Sequence, residues 1–246
     1  SSPIFSTIIF PVTTKINIVN CRYKLNAMKN ILFTLTLLIS FASFGQRAED
    51  YYSSGNEKWK SDKYGAIDDY KEAIKYSSDT DYWRLYNSYR NIGVAYRFIA
   101  EKLQIREQSN DRKSQYAIEQ EYWFNSAFHL KKAIEYADLC DSCINIDVLY
   151  EDLSEMIIRV FDKELIQLLK LPKNETALTY LSKAIELNPS AKRYASRAWI
   201  YSKELGGWPY RDKDKPNLPK ACEDALRANK LGIEYPYIID ILKKCN

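Results

Sequence analysis

The sequence predicts an all-α chain of about four helical hairpins, and three observations carry that expectation. A nine-residue pattern, small-apolar-x-x-apolar-x-x-small-apolar, recurs as Ala66, Ile67, Tyr70, Ala73, Ile74; Ser126, Ala127, Leu130, Ala133, Ile134; Ala177, Leu178, Leu181, Ala184, Ile185; and more loosely Ala221, Cys222, Ala225, Ala228. This spacing sets the residues on one stripe of a 3.6-residue period, with Ala or Ser where a neighbouring helix approaches closely. Ten residues after each first small position stands another apolar residue, Tyr76, Tyr136, Leu187 or Leu231, giving the four segments one register. Three of the four also follow a helix that carries an aromatic and, four residues on, a small residue: Tyr51 and Gly55, Tyr89 and Gly93, Tyr194 and Ala198.

Taken in order, the chain begins with 1–27, read as upstream sequence outside the native protein. Met28-Lys29 then opens a basic start, 31–44 is apolar, and Ser43-Phe44-Gly45 supplies small residues, so 28–45 reads as a signal peptide cut before Gln46. Fourteen apolar residues fall short of the roughly twenty a membrane-spanning helix needs, so no integral membrane segment is expected after cleavage. The leader resembles those of Gram-negative bacteria such as Bacteroidetes, and a periplasmic or secreted location is expected.

The repeat region then occupies 46–246. Tyr89, Asn91, Ile92, Gly93, Ala95 and Tyr96 with the 126–136 segment resemble the two helices of a tetratricopeptide repeat. Tyr51, Gly55 and Trp59 ahead of 66–76, and Tyr194, Ala198 and Tyr201 ahead of 221–231, do likewise. In the third repeat Tyr150, Leu153, Ser154 and Ile157 fit the apolar positions, and 177–189, stopped by Asn188-Pro189, resembles the family best. The resemblance implies a right-handed superhelix of helical hairpins acting as a protein-binding scaffold. Starts at 66, 126, 177 and 221 are separated by 60, 51 and 44 residues, against about 34 in the family. The excess lies inside the hairpins. Residues 97–108 and 158–171 lack Gly and Pro and are read as extensions of the first helices, whereas Leu205-Gly206-Gly207-Trp208-Pro209 and the charged run to Pro219 are read as a loop.

Cys222 lies early in the last second helix, and Cys245 ends a short amphipathic helix, read as a C-terminal cap, after the Gly232 turn. The midpoint of the pair falls at that turn, so two antiparallel helices would bring the thiols together. Cys140 and Cys143 are expected to form a local disulfide between the second and third repeats, in keeping with export. Ala221-Cys222-Glu223-Asp224 with Lys244-Cys245 also resembles the ends of Bacteroidetes repeat proteins.

The stretch before Gln46 holds Lys15, Arg22, Lys24 and Lys29 and no acid, leaving 32 basic residues of the 36 against 32 acidic. That balance gives no field for nucleic acid. A single histidine, His129, placed in the polar middle of a repeat helix, excludes two-His metal motifs, and no Gly-rich phosphate loop is present, so neither an enzyme nor a cofactor is expected.

In tetratricopeptide proteins the first helix of each repeat lines the concave surface. The matching residues are Tyr52, Asn56 and Trp59 in the first repeat, Asn87, Arg90 and Arg97 in the second, and Lys192 and Trp199 in the last. The expected function is that of an exported, non-enzymatic scaffold binding a protein or peptide there. Two alternatives stand beside it: a self-associating structural component of a cell-envelope assembly, and a thiol-disulfide protein using Cys140 and Cys143. An aromatic contact from Trp208 and Tyr210 in the 206–219 loop is a further possible site.

Overall fold

The computed structural model describes residues 13–105, 112–160, 163–172, 175–202 and 217–245. Among them are ten α-helices and no strands. They are α1 (Thr13–Lys58), α2 (Lys63–Tyr76), α3 (Tyr82–Ile105), α4 (Arg112–Ala137), α5 (Ile146–Arg159), α6 (Lys163–Leu169), α7 (Ala177–Leu187), α8 (Ala191–Ser202), α9 (Leu218–Lys230) and α10 (Pro236–Lys243). The chain divides into two compact units, Ser1–Arg47 and Ala48–Asn246. In the first, Met28, Ile31, Leu32 and Phe33 are exposed on α1. No described helix is long and apolar enough to cross a membrane.

The second unit is a succession of helical pairs. The last turns of α1 pair with α2, α3 with α4, α5 with α7, and α8 with α9, while α2, α4 and α7 also pack on the pair that follows. The recurrent stripe is the core: Ala66, Tyr70, Ala73, Ser126, Ala127, Leu130, Ala133, Ala184, Ala221, Ala225 and Ala228 are all fully buried. Small residues set the helix separation. A Cβ on Gly55 would lie 2.7 Å from the Tyr70 ring, and one on Gly93 would lie 2.8 Å from Leu130 Cγ. Two hairpins add a buried hydroxyl at that approach, with the roles exchanged. Ser126 of α4 donates to the Gly93 carbonyl of α3 at 2.8 Å, whereas Ser154 of α5 donates to the Ala177 carbonyl of α7 at 2.7 Å. Each bond satisfies a hydroxyl that would otherwise be buried without a partner.

Local chemistry starts the helices where the sequence breaks. Asp62 accepts from the Gly65 amide at 2.9 Å, Thr176 forms a capping box with Thr179, and Asn217 accepts from the Lys220 amide at 3.1 Å. At the C-terminus Gly232 adopts φ +91°, the turn reverses the chain, and α10 lays Ile238 and Ile241 against α8 and α9.

Several expectations change. The 97–108 extension is helical to Ile105, its last residues lying outside the described part, and α4 is lengthened too, beginning at Arg112. The 158–171 extension is broken: α5 stops at Arg159, and Val160 is extended at φ −80°, ψ 106°. The break sets α6 against α4, and Ile166 and Leu169 are buried. Pro219 lies in the first turn of α9, where its missing N–H costs nothing, so the loop ends at Asn217. Leu187 and Leu231, at the ends of their stripes, are exposed because each helix terminates there.

Candidate functional site

Five of the eight predicted contact residues, Tyr52, Asn56, Trp59, Asn87 and Arg90, come together where α1 meets α3. On α3, Trp83, Asn87, Arg90, Val94 and Phe98 follow one another at spacings of 4, 3, 4 and 4, which aligns them on one helix face. Tyr52 and Asn56, one turn apart on α1, stand beside that row. The Tyr52 ring meets Trp83 edge-on at 5.5 Å and Tyr70 at 5.8 Å, and Tyr70 donates its hydroxyl to Asn56 Oδ1 at 2.8 Å. Burial raises the Tyr52 pKa, with Asn56 and the Arg90 charge working against the rise. Asn87 Nδ2 donates to the Trp83 carbonyl at 2.7 Å, and its side-chain oxygen keeps acceptor capacity.

Trp59 closes the far end of this row. Its ring lies 6.4 Å from Phe98, edge to face, and Lys63 Nζ sits 4.3 Å from the Trp59 ring and 5.5 Å from the Phe98 ring. The Lys63 ammonium also donates to the Trp59 carbonyl. Burial, followed by the Lys102 charge, holds the Lys63 pKa below its ordinary value, and no carboxylate offsets either effect.

Arg90 differs from the arginines of the ion pairs in having no carboxylate partner among the described residues, whereas Arg84, Arg97, Arg159, Arg193, Arg197 and Arg227 each reach one. The carboxylates whose charges act on Tyr52 and Tyr86 are engaged elsewhere: Glu49 binds Arg84 at 2.9 Å, and Asp147 binds Arg193 at 2.7 Å. The half-buried Arg90 guanidinium instead sits near the hydroxyls of Tyr52 and Tyr86.

The remaining predicted contacts are consumed by the fold. Arg97, expected on a free face, binds Asp152 of α5 at 2.6 Å and Glu101 at 3.2 Å. Burial, reinforced by Glu155 and Glu151, raises the Asp152 pKa, and Arg97 only partly counters it. Lys192 binds Glu151 at 2.7 Å. Arg193, 5% exposed, joins Asp147 and Glu151 while donating to the Ala184 carbonyl at 3.3 Å, so it caps the end of α7 as it ties α8 to α5. Against the opposing effect of burial, Arg193 with Asn188 holds Asp147, and Arg193 with Lys192 holds Glu151, below ordinary carboxylate values. Trp199 packs on the Leu181, Ile185 and Ile200 cluster between α7 and α8. Sequence reading missed Trp83 and Phe98, although their helical spacing from Asn87 and Arg90 was the available signal. The ion pairs from α5 carried no such signal.

His129 is not in a polar setting. Its half-buried ring packs against Tyr89 and Tyr96 of α3 and Phe128 of its own helix, at centroid distances of 6.0, 5.5 and 5.2 Å. Burial pushes its pKa down to about 4; a bond with the Asn125 carbonyl opposes the shift and the Lys71 charge adds to it. Among the described residues no group of acidic, His and Cys side chains has the arrangement of a metal site. Cys140 pairs with Cys143, and Cys222 with Cys245, at Cα separations of 5.4 and 5.8 Å. The first pair sits in the α4–α5 connection, which Tyr86 of α3 anchors by donating to the Ile144 carbonyl. Trp208 and Tyr210 lie outside the described residues. Compared with known proteins, the chain matches no family model, no curated relative and no solved structure.

Proposed function

We propose that the chain is an exported scaffold of the tetratricopeptide type, its helical pairs wound as a right-handed superhelix, and that it binds a segment of another protein along α1 and α3. The observation that carries this reading is the contrast along the first helices. Their α5 and α8 members are neutralised by their own ion pairs, whereas the α1–α3 face offers two half-buried and two exposed aromatics around an arginine with no carboxylate partner among the described residues. A cation kept half-buried without a counter-ion is costly to the fold alone, and a bound partner can supply what is missing. Sequential packing of small-residue hairpins supports the repeat assignment. Export is supported by the two cysteine pairs and by a compact unit that starts at Ala48, two residues beyond the expected cut.

Photo-crosslinking in intact cells tests the proposal. A photoreactive residue at Asn87 should trap a defined partner band that the same residue at Asp68, exposed on α2, does not. Identical bands at both positions, or none at Asn87, would remove α1–α3 as the binding face.

A further inference from the structure

Building on that reading, we infer that the occupant of the α1–α3 face is an extended, internal protein segment carrying side-chain carboxylates about four residues apart, with aromatic or apolar residues between and beside them. The geometry supplies each part of this description. From Trp83 to Phe98 the face spans fifteen residues of helix, about 22 Å, which an extended peptide covers with roughly seven residues. Two cationic points stand on it: Arg90, beside the Tyr52 and Tyr86 hydroxyls, and Lys63, held between the Trp59 and Phe98 rings with Lys102 close by. Arg90 and the Phe98 that cradles Lys63 are eight residues apart on α3, about 12 Å, or about four residues of extended chain.

The aromatics fall at the two ends. Tyr52 with Trp83 and Trp59 with Phe98 form edge-to-face pairs, and Trp83 and Phe98 are exposed. They offer apolar flanks to a segment whose carboxylates meet the cations. Neither Arg90 nor Lys63 has a carboxylate partner among the described residues, so an acidic ligand need displace no internal ion pair. A basic or neutral segment would leave both cations partly desolvated and unpaired, and so discrimination by charge follows directly.

Fluorescence anisotropy with the purified protein tests this, using a labelled eight-residue peptide with glutamate at its third and seventh positions and phenylalanine at its second and sixth. Its C-terminus is amidated so that only side-chain carboxylates act. It should bind on the order of tenfold or more tightly than its glutamine counterpart, and the advantage should shrink in 1 M salt. Arg90→Gln and Lys63→Gln, each checked for unchanged helical content by circular dichroism, should each lose most of the glutamate preference without weakening the glutamine peptide. Equal binding of the two peptides, no saturable binding of the glutamate peptide, or a preference that survives both substitutions would overturn the inference. The crosslinking result separates the two levels: a partner trapped at Asn87 through a segment lacking acids leaves the scaffold standing and removes the acidic occupant, while no trapped partner removes both.

Discussion

Lowering the pH from 7 to 4.5 should destabilise the protein by roughly 2 to 3 kcal/mol through His129 alone, and His129→Phe should abolish that part of the acid sensitivity. The folded pKa is about 4 and the ordinary value is 6.5. Because the folded value is depressed, the unfolded chain binds the proton first. The contribution is therefore fully present above pH 6.5 and is lost as the pH falls toward 4. At pH 4.5 the unfolded imidazole is almost fully protonated and the folded one mostly neutral, which sets the magnitude. Phenylalanine suits the site, since the neighbours are the rings of Tyr89, Tyr96 and Phe128. The Asn125 carbonyl, four residues earlier in α4, also retains its helical amide partner. The carboxylates held low by their partners, Asp147, Glu151, Glu135 and Glu175, contribute stability that is lost only as the pH falls below about 4.5, so they act beneath this window. Asp152, held high, has the opposite sign, and it is common to both proteins. Urea unfolding at pH 7, 6, 5 and 4.5 measures the difference. Parallel pH profiles for wild type and variant would refute the assignment of a half-buried, neutral histidine.

Three further perturbations test the packing and the pairing. Ala184→Leu, at a fully buried position on α7, should cost about 1 to 3 kcal/mol by overpacking, while Lys183→Ala should lose only the Glu175 pair and its place over the Tyr150 and Tyr180 rings, about 1 kcal/mol or less in a melt. Arg97→Glu should destabilise by about 3 kcal/mol, because it sets a second carboxylate against the half-buried Asp152, whereas Arg90→Gln, which removes a half-buried charge that has no carboxylate partner among the described residues, should be neutral or stabilising in the same denaturation assay. Replacing Cys222 and Cys245 together by Ser opens a loop of 23 residues and should cost about 3 kcal/mol, with faster amide exchange concentrated in α10.

The repeated stripe was legible because it is written in local spacing: Ala66, Ala127, Ala184 and Ala225 are buried for the reason their 3.6-residue period suggests. The Cys222–Cys245 pair was legible for a similar reason, the Gly232 turn lying midway between antiparallel helices. The break at Val160 was not, since it depends on whether Ile166 and Leu169 find α4, and helix propensity along 158–171 says nothing of that. The site divided in the same way. Tyr52, Asn56, Asn87 and Arg90 share faces that spacing reveals, but Arg97 is claimed by Asp152, 55 residues away, and Lys192 by Glu151, across a helix pair boundary. Helical periodicity identifies the residues on a face; it does not say which of their charges the neighbouring helix has already neutralised.

The bond between Cys222 and Cys245 makes the second unit mechanically asymmetric. Each helical pair leans chiefly on the next, so tension should travel along the unit rather than through a central core. A pull on the leading helix peels non-covalent contacts pair by pair and meets on the way only the three-residue Cys140–Cys143 link, which joins no two helices. A pull at the other end enters at Cys245 and passes straight across to α9, so α10 is held out of the line of force. A translocating motor or protease arriving from the C-terminal side would therefore confront a covalent ring of the 23-residue span that it must thread whole or reduce, whereas one that engages the N-terminal side would meet it last.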